Sequence, residues 1–491
     1  MSTHRIGSRG YVIQKSSLTP IELEQLKKGL SIYPKENHSI KLVQSTERAV
    51  IVYRENEEKI YIPRFFGINQ YGIPERIDLS SGGDIDVPFQ MSLRDYQHDI
   101  INVYLDHVKD GHGGGILEVP CGRGKTIMAL YIISMLKKKT LVIVHKEFLL
   151  NQWVERIREF IPSARIGKIQ GKVFDVENKD IVIGMIQTMY DRPYPSNTFS
   201  CFGLTILDEV HRVGSEEFSK TLLKVVTPYM LGISATVDRK DGLTELLYMF
   251  IGPKIYSENR KDSDCVQVRV LQYDHSHVEY TQEQFDYRGN IKYSTMINQI
   301  SDFEPRKQFI VKVLRDLISE DSEKQIMILS HKRDLLDYLQ KEIENSGFAT
   351  CGQYVGGMKP QALQDSETKQ IVLATYAMAA EALDIKTLNT LVMVSPKTDI
   401  IQSVGRILRT KGNGKIIVDI VDQHDVFQNQ WKKRRAYYKK SNYQIVMKSH
   451  TEYDSMENID SWKVVYTPKT NILKEKTCQD DNDKPVCQLL L

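Results

Sequence analysis

Residues Gly115 to Thr126 read Gly-Ile-Leu-Glu-Val-Pro-Cys-Gly-Arg-Gly-Lys-Thr. The first five form a short, mostly apolar run of the kind that makes a strand buried on both faces. The next five are rich in glycine and must turn. Thr126–Leu136 then reads as a helix. Strand, glycine-rich turn and helix in that order are the setting of a phosphate-binding loop. Gly122 and Gly124 let the loop of Pro120, Cys121 and Arg123 curl so that the N–H groups that follow Pro120 face a phosphate, and the helix N-terminus adds positive potential. Lys125 would reach the β- and γ-phosphates, and the Thr126 hydroxyl would face Mg2+. The loop departs from the usual pattern at one place, where Val119 stands for glycine.

Outward from this stretch the pattern repeats. Leu141–Val144, Ile181–Gly184, Leu204–Leu207 and Leu231–Ile233 are further apolar runs without alternation, with helical stretches between them. They predict a doubly wound α/β domain with a parallel sheet. A second set follows at Ile326–Leu329, Gln370–Ala374, Leu391–Val394 and Lys415–Ile420, which predicts a second α/β domain in series. The polar, tyrosine-rich segment from Ser257 to Asp302 reads as a linker with its own hairpin.

At the amino end, Ile21 to Leu30 reads as a helix with Thr19 as N-cap and Pro20 in its first position. Arg48–Tyr53 and Lys59–Ile62 read as two strands joined by a turn at Glu55–Glu58. Ser80–Pro88 reads as a linker. The expected boundaries are an N-terminal module over 1–89, α/β domains over 90–256 and 257–424, and a basic helical extension over 425–491 whose last ~25 residues are polar enough to be disordered.

Leu204-Thr205-Ile206-Leu207-Asp208-Glu209 is an apolar strand that ends in two carboxylates. At the carboxyl end of a buried strand both face one crevice. Asp208 is placed to hold Mg2+ and Glu209 to polarise an attacking water.

Asp208-Glu209-Val210-His211 resembles motif II of the superfamily 2 helicases, and the other motifs follow in order. Leu93-Arg94-Asp95-Tyr96-Gln97 is similar to the adenine-reading Q element, Leu149 to Trp153 to motif Ia, and Gln187-Thr188 to the Ib region. Ser234-Ala235-Thr236 resembles motif III, and Ser330-His331 stands where motif IV would be. The run from Ala374-Thr375 to Asp384-Ile385 is similar to motif V, and Gln402-Ser403-Val404-Gly405-Arg406-Ile407-Leu408-Arg409 to motif VI. Arg239-Lys240-Asp241-Gly242 and Ile251-Gly252-Pro253 resemble the XPB-type branch, and the compact length is similar to its members in large DNA viruses, including the poxvirus transcript-release type, and in phages. Ala382 and Val237 depart from the usual Gly and Pro of motif V and of the position after motif III.

The resemblance implies two tandem RecA-like domains, a small N-terminal α/β module and a basic tail. It implies ATP and Mg2+ bound by Gln97, the loop residues 120–126, Asp208 and Asp384. Catalysis would rest on Lys125, Glu209 and Gln402, with Arg406 and Arg409 as arginine fingers. His211, Ser234 and Thr236 would couple the ATP site to nucleic acid, and Thr188 and Thr375 would touch phosphates. DNA is the favoured substrate, in transcription or repair. An ATP-dependent RNA helicase, a non-hydrolysing clamp and the motor of a nuclease complex are the alternatives.

Composition agrees without adding much. The 491 residues carry 66 Lys and Arg against 63 Asp and Glu, a net charge of +3, with 26% charged and 41% hydrophobic residues. Those values exclude collagen-like, coiled-coil and wholly disordered chains. No run approaches the ~20 apolar residues of a membrane span, and no signal core opens the chain, so a soluble intracellular protein is expected, in a virus if the resemblance holds. The six cysteines form no C-x-x-C pair, which argues against zinc or a disulfide framework. Cys121 suits a small buried residue better than an oxidation-sensitive switch. His275 and His277 lack the further ligands a metal needs, and Lys137-Lys138-Lys139 reads as an exposed helix end.

Two segments stay open. Trp431–Lys440 holds six basic residues interleaved with aromatics, which suits either a phosphate-tracking helix or a solvated helix whose rings pack on the second domain. Residues 1–89 suit either nucleic-acid recognition or a brace for the first domain.

Overall fold

Strands buried on both faces need apolar side chains at every position, and the uninterrupted runs of this chain build two such sheets. The computed structural model describes residues 3–33, 49–120, 122–195, 197–209, 215–235, 237, 244–258, 266–381, 385, 387–398, 400, 404, 414–456 and 458–468. The disorder expected at the carboxyl end falls on residues 469–491, outside the described residues. No helix among the described residues is long and apolar enough to cross a membrane.

The first large sheet has the strand order Val173–Phe174, Ile166–Gln170, Ile181–Met185, Thr140–Val144, Leu204–Asp208, Tyr229–Ser234, Gly114–Glu118 and Lys254–Ser257. All pairs are parallel except the outermost hairpin. The register sets Asp208 beside Ile233 and Ser234 beside Glu118, so the chemistry-bearing ends share one edge.

The second sheet runs Cys351–Tyr354, Ile371–Thr375, Ile326–Ser330, Thr390–Met393, Lys415–Asp422, Val266–Tyr273, Gln444–Ser449 and Lys463–Tyr466. Two differences from the sequence reading stand out. Val266–Tyr273, expected in a linker, is an interior strand paired on both sides. The sheet also continues past residue 424, because Gln444–Ser449 joins it in parallel and Lys463–Tyr466 closes it in antiparallel. Within the same segment a small hairpin does form, with Phe285 bridged to Ile291.

The basic helix spans Asp425–Lys440. Its Trp431, Arg434 and Tyr438 are buried, while Lys432, Lys433, Lys439 and Lys440 face outward. Positions 431, 434 and 438 recur at helical spacing on one face, so these aromatics pack on the second domain.

The N-terminal module is a five-stranded sheet, Arg54–Glu55, Lys59–Ile62, Gly10–Gln14, His4–Gly7 and Arg76–Ile77. Helix Pro20–Gly29 starts at Thr19 as expected, in a reciprocal cap with Glu22. Of the expected strand Arg48–Tyr53 only Val50–Ile51 forms a strand, and it pairs with Ser31–Ile32; the hairpin partner of Lys59–Ile62 is instead Arg54–Glu55, which lies past its expected end. The module shares one core with the first motor sheet, with Ile13, Val52 and Phe65 packed in the same cluster as Leu222 and Phe250. Arg64 pins the contact by donating Nη1 to the carbonyls of Thr227 and Pro228 at 2.9 and 2.8 Å.

The segment Ser80–Pro88 is a strap on the first domain. Ile85 and Val87 are buried in its core, and Asp84 is bridged to Lys138. Gly82 has φ +70°, and a Cβ there would lie 2.2 Å from the Gly203 nitrogen. Lys138 and Lys137, at the end of helix Lys125–Leu136, meet Asp84 and Asp86 of the strap.

Candidate active site

The phosphate loop joins strand Gly114–Glu118 to helix Lys125–Leu136. Gly122 and Gly124 both adopt positive φ, +85° and +80°. A Cβ on Gly124 would lie 2.4 Å from the Gln97 Nε2. Gln97 belongs to the first turn of helix Asp95–Lys109. Its Oε1 accepts from the Arg94 amide at 3.0 Å, and its Nε2 donates to the Arg123 carbonyl at 3.0 Å. The Arg123 guanidinium stacks 3.7 Å above the Tyr96 ring and pairs with Glu258. The Q element therefore holds the loop from outside through Gln97 and Tyr96.

Inside the loop, Lys125 Nζ lies 3.3 Å from Glu209 Oε1. Glu209 sits at φ +50°, just past the strand end, with its amide on the Ile233 carbonyl at 3.0 Å. Asp208 is buried, and its Oδ2 accepts from the Trp153 indole Nε1 at 2.9 Å. Burial, followed by the neighbouring Glu209 charge, pushes the Asp208 carboxyl up to about 6; the Trp153 hydrogen bond and Lys125 pull against that rise. The adjacent carboxylates of Asp208 and Glu209, with the hydroxyl of Thr126 next to Lys125 in the chain, offer the hard oxygen donors that suit a small divalent cation.

Glu118 ties the site's flank together. It accepts from the Val237 amide at 2.8 Å, from Lys254 at 3.1 Å and from Ser257 at 2.7 Å. Burial raises its pKa, but these three donors outweigh burial and hold it below the usual carboxylate range. Ser234 is buried at its strand end, where its carbonyl accepts from the Val119 amide at 2.8 Å.

Neither Glu118 nor Trp153 is marked for this site by the sequence. A charged residue closing an apolar strand was the available signal for Glu118. Trp153 stood in a recognised motif, but its partner lies 55 residues further on.

Other expected residues lie elsewhere. Thr188, on helix Ile186–Asp191, accepts from the Gly171 amide through Oγ1 at 3.0 Å. Thr375 ends a strand of the second sheet beside Ser330. Near it, His331 donates its amide to Ser395 Oγ at 2.8 Å and meets the Pro396 carbonyl through Nε2 at 3.0 Å. Cys121, His211, Thr236, Asp384, Gln402, Arg406 and Arg409 fall outside the described residues. Among the described residues no group of His, Cys, Asp and Glu forms a metal cluster, His275 and His277 included.

Residues 90–239 match the family model described as type III restriction enzyme, res subunit, and residues 309–411 match helicase conserved C-terminal domain. A protein of Acanthamoeba polyphaga mimivirus, named as an ATP-dependent RNA helicase, is 34% identical over 448 residues, covering 89% of this chain and 85% of its own. The chain belongs to the superfamily 2 helicases. This helicase is an ATP-hydrolysing enzyme that works on nucleic acid. It is also similar to the DNA 3′-5′ translocase XPB2 of Sulfurisphaera tokodaii, 31% identical over 203 residues, 40% of this chain and 44% of that protein. Its two-domain fold is shared with an HsdR-subunit fragment of a Vibrio vulnificus type I restriction enzyme, at TM-score 0.52 and 16% identity, covering 74% of this chain and 70% of the other. The likeness to large DNA virus helicases thus holds.

Proposed function

We propose that the helicase is a DNA-directed motor that steps along or opens duplex DNA, in viral transcription or repair. The reading rests on the XPB-type signature around Arg239-Lys240-Asp241-Gly242 and Ile251-Gly252-Pro253, supported by the similarity to a DNA translocase. Lys125 would neutralise the β- and γ-phosphates, and Glu209, 3.3 Å from Lys125, would orient the attacking water. Thr126 and Asp208 would hold Mg2+, which offsets charge on the triphosphate. Gln97 would stand beside the adenine while bracing the loop. From the second domain, Gln402, Arg406, Arg409 and Asp384 would complete the site, with the arginines contributing roughly 10³–10⁵ in rate. Ser234, Thr236 and His211 would transmit the nucleotide state, and Thr188 and Thr375 would grip backbone phosphates, which position without reading sequence.

The second reading, an RNA helicase, is favoured by the name carried by the mimivirus relative. Measuring ATP turnover with single-stranded DNA, duplex DNA and RNA side by side separates the two. DNA stimulation well above RNA stimulation supports the proposal, and the reverse order replaces it with the second reading.

A further inference from the structure

We infer that Trp153 is a positioning residue for the metal-holding carboxylate. The inference rests on the proposed reading of Asp208 as the residue that meets Mg2+. Trp153 lies in helix Glu147–Phe160, is 1% exposed, and is packed in the core with Leu117, Val144 and Ile206. Its indole N–H meets Asp208 Oδ2 at 2.9 Å, with both groups buried.

The choice of side chain matters physically. An indole N–H only donates and does not titrate near neutral pH, so the hydrogen bond has one sense at every working pH. A ring locked in a packed core offers that donor in one place. Asp208 terminates its strand, and without a donor its carboxylate could rotate about the Cβ–Cγ bond. With Oδ2 held, the carboxylate plane is set before any cation arrives. This is the relation by which outer partners of metal ligands raise affinity, commonly by 10- to 100-fold.

Trp153→Phe keeps an aromatic ring in the core and removes only the donor and part of the volume. Mn2+ binding to the full chain in the presence of ADP, followed by electron paramagnetic resonance, is expected to weaken about 10-fold or more. ATP turnover should fall at low Mg2+ and recover toward the parent value at high Mg2+. Asp208→Asn weakens Mn2+ binding as well, and Trp153→Phe added to it should cost nothing further, because the two residues act as one unit. Unchanged Mn2+ affinity in Trp153→Phe, with weakened affinity in Asp208→Asn, overturns the inference and leaves the site reading standing. Unchanged affinity in Asp208→Asn overturns both.

If Trp153→Phe does not fold, the parent protein still decides. It has three tryptophans, Trp153, Trp431 and Trp462, and Trp431→Phe and Trp462→Phe assign their indole N–H resonances by subtraction. Mn2+ with ADP should broaden the Trp153 resonance and spare the other two. A Trp153 resonance left sharp while Mn2+ binds overturns the inference.

Discussion

Arg434 and Asp419 form a bidentate pair sealed inside the second domain, with Nε to Oδ2 at 2.8 Å and Nη2 to Oδ1 at 3.0 Å, and each side chain 1% exposed. Tyr438 donates to the same carboxylate at 3.2 Å, and Arg434 Nη1 reaches the Lys397 carbonyl at 2.8 Å. Burial pushes the Asp419 carboxyl up, and the guanidinium holds it down. The basic helix is thus pinned to the central strand Lys415–Asp422 by one of the residues that make it look like a nucleic-acid binder.

Removing one member of such a pair leaves the other charge stranded. Arg434→Ala is expected to destabilise the protein by about 3–5 kcal/mol, whereas Arg434→Met with Asp419→Leu, which removes both charges, should cost far less. Chemical denaturation of the two variants checks this. A mild effect of Arg434→Ala, comparable to that of Lys433→Ala on the exposed face, would contradict it.

The strap makes a second prediction. Gly82→Ala places a methyl group against the Gly203 backbone at a positive φ, so the strap must lift or the loop at Gly203 must shift. The cost should exceed the ~1 kcal/mol of an ordinary glycine-to-alanine change at positive φ. Gly111→Ala, also at positive φ but facing open space, is the control. Limited proteolysis should cut the first variant, not the second, between residues 80 and 88.

The core strands of both domains were legible because every position faces apolar neighbours, leaving unbroken runs such as Leu204–Leu207. Val266–Tyr273 was not, because Gln267, Arg269 and Gln272 interrupt the run. Arg269 is 5% exposed yet satisfied by Glu320, at 2.7 and 2.8 Å, a partner 51 residues away. Arg434 deceived in the same way: its charge reads as surface until Asp419 is seen beside it. In the site, Lys125, Asp208 and Glu209 were legible from local motifs. Glu118 and Trp153 depend on contacts between strands and helices distant in sequence.

Glu118 carries a pH prediction. Its folded pKa lies below the ordinary 4.5, so the folded state favours the ionised form. The resulting stability is present above the unfolded pKa and lost as pH falls through the folded value. Glu118→Gln should therefore be less stable than the parent near pH 7, by about 1–3 kcal/mol, and the gap should narrow below about pH 4.5. Denaturation midpoints of both proteins across pH 3–7 test it; a gap independent of pH would show that the carboxylate charge is not what ties Val237, Lys254 and Ser257 together.

Lys125 of the phosphate loop and Glu209 at the strand end meet at 3.3 Å. In the proposed reading Lys125 serves the triphosphate and Glu209 the attacking water, so the two roles are separable although the side chains meet. Two substitutions separate these roles. Lys125→Ala should abolish ATP turnover and weaken nucleotide binding together, because the cation serves both. Glu209→Gln should lower turnover by about 10²–10⁴ while ATP binding is kept or tightened, since the amide no longer competes as an anion for Lys125. Pre-steady-state binding of a fluorescent ATP analogue, measured beside turnover, distinguishes them. Turnover near the parent rate in the Glu209→Gln protein would remove Glu209 from the chemistry and leave it a counter-ion for Lys125.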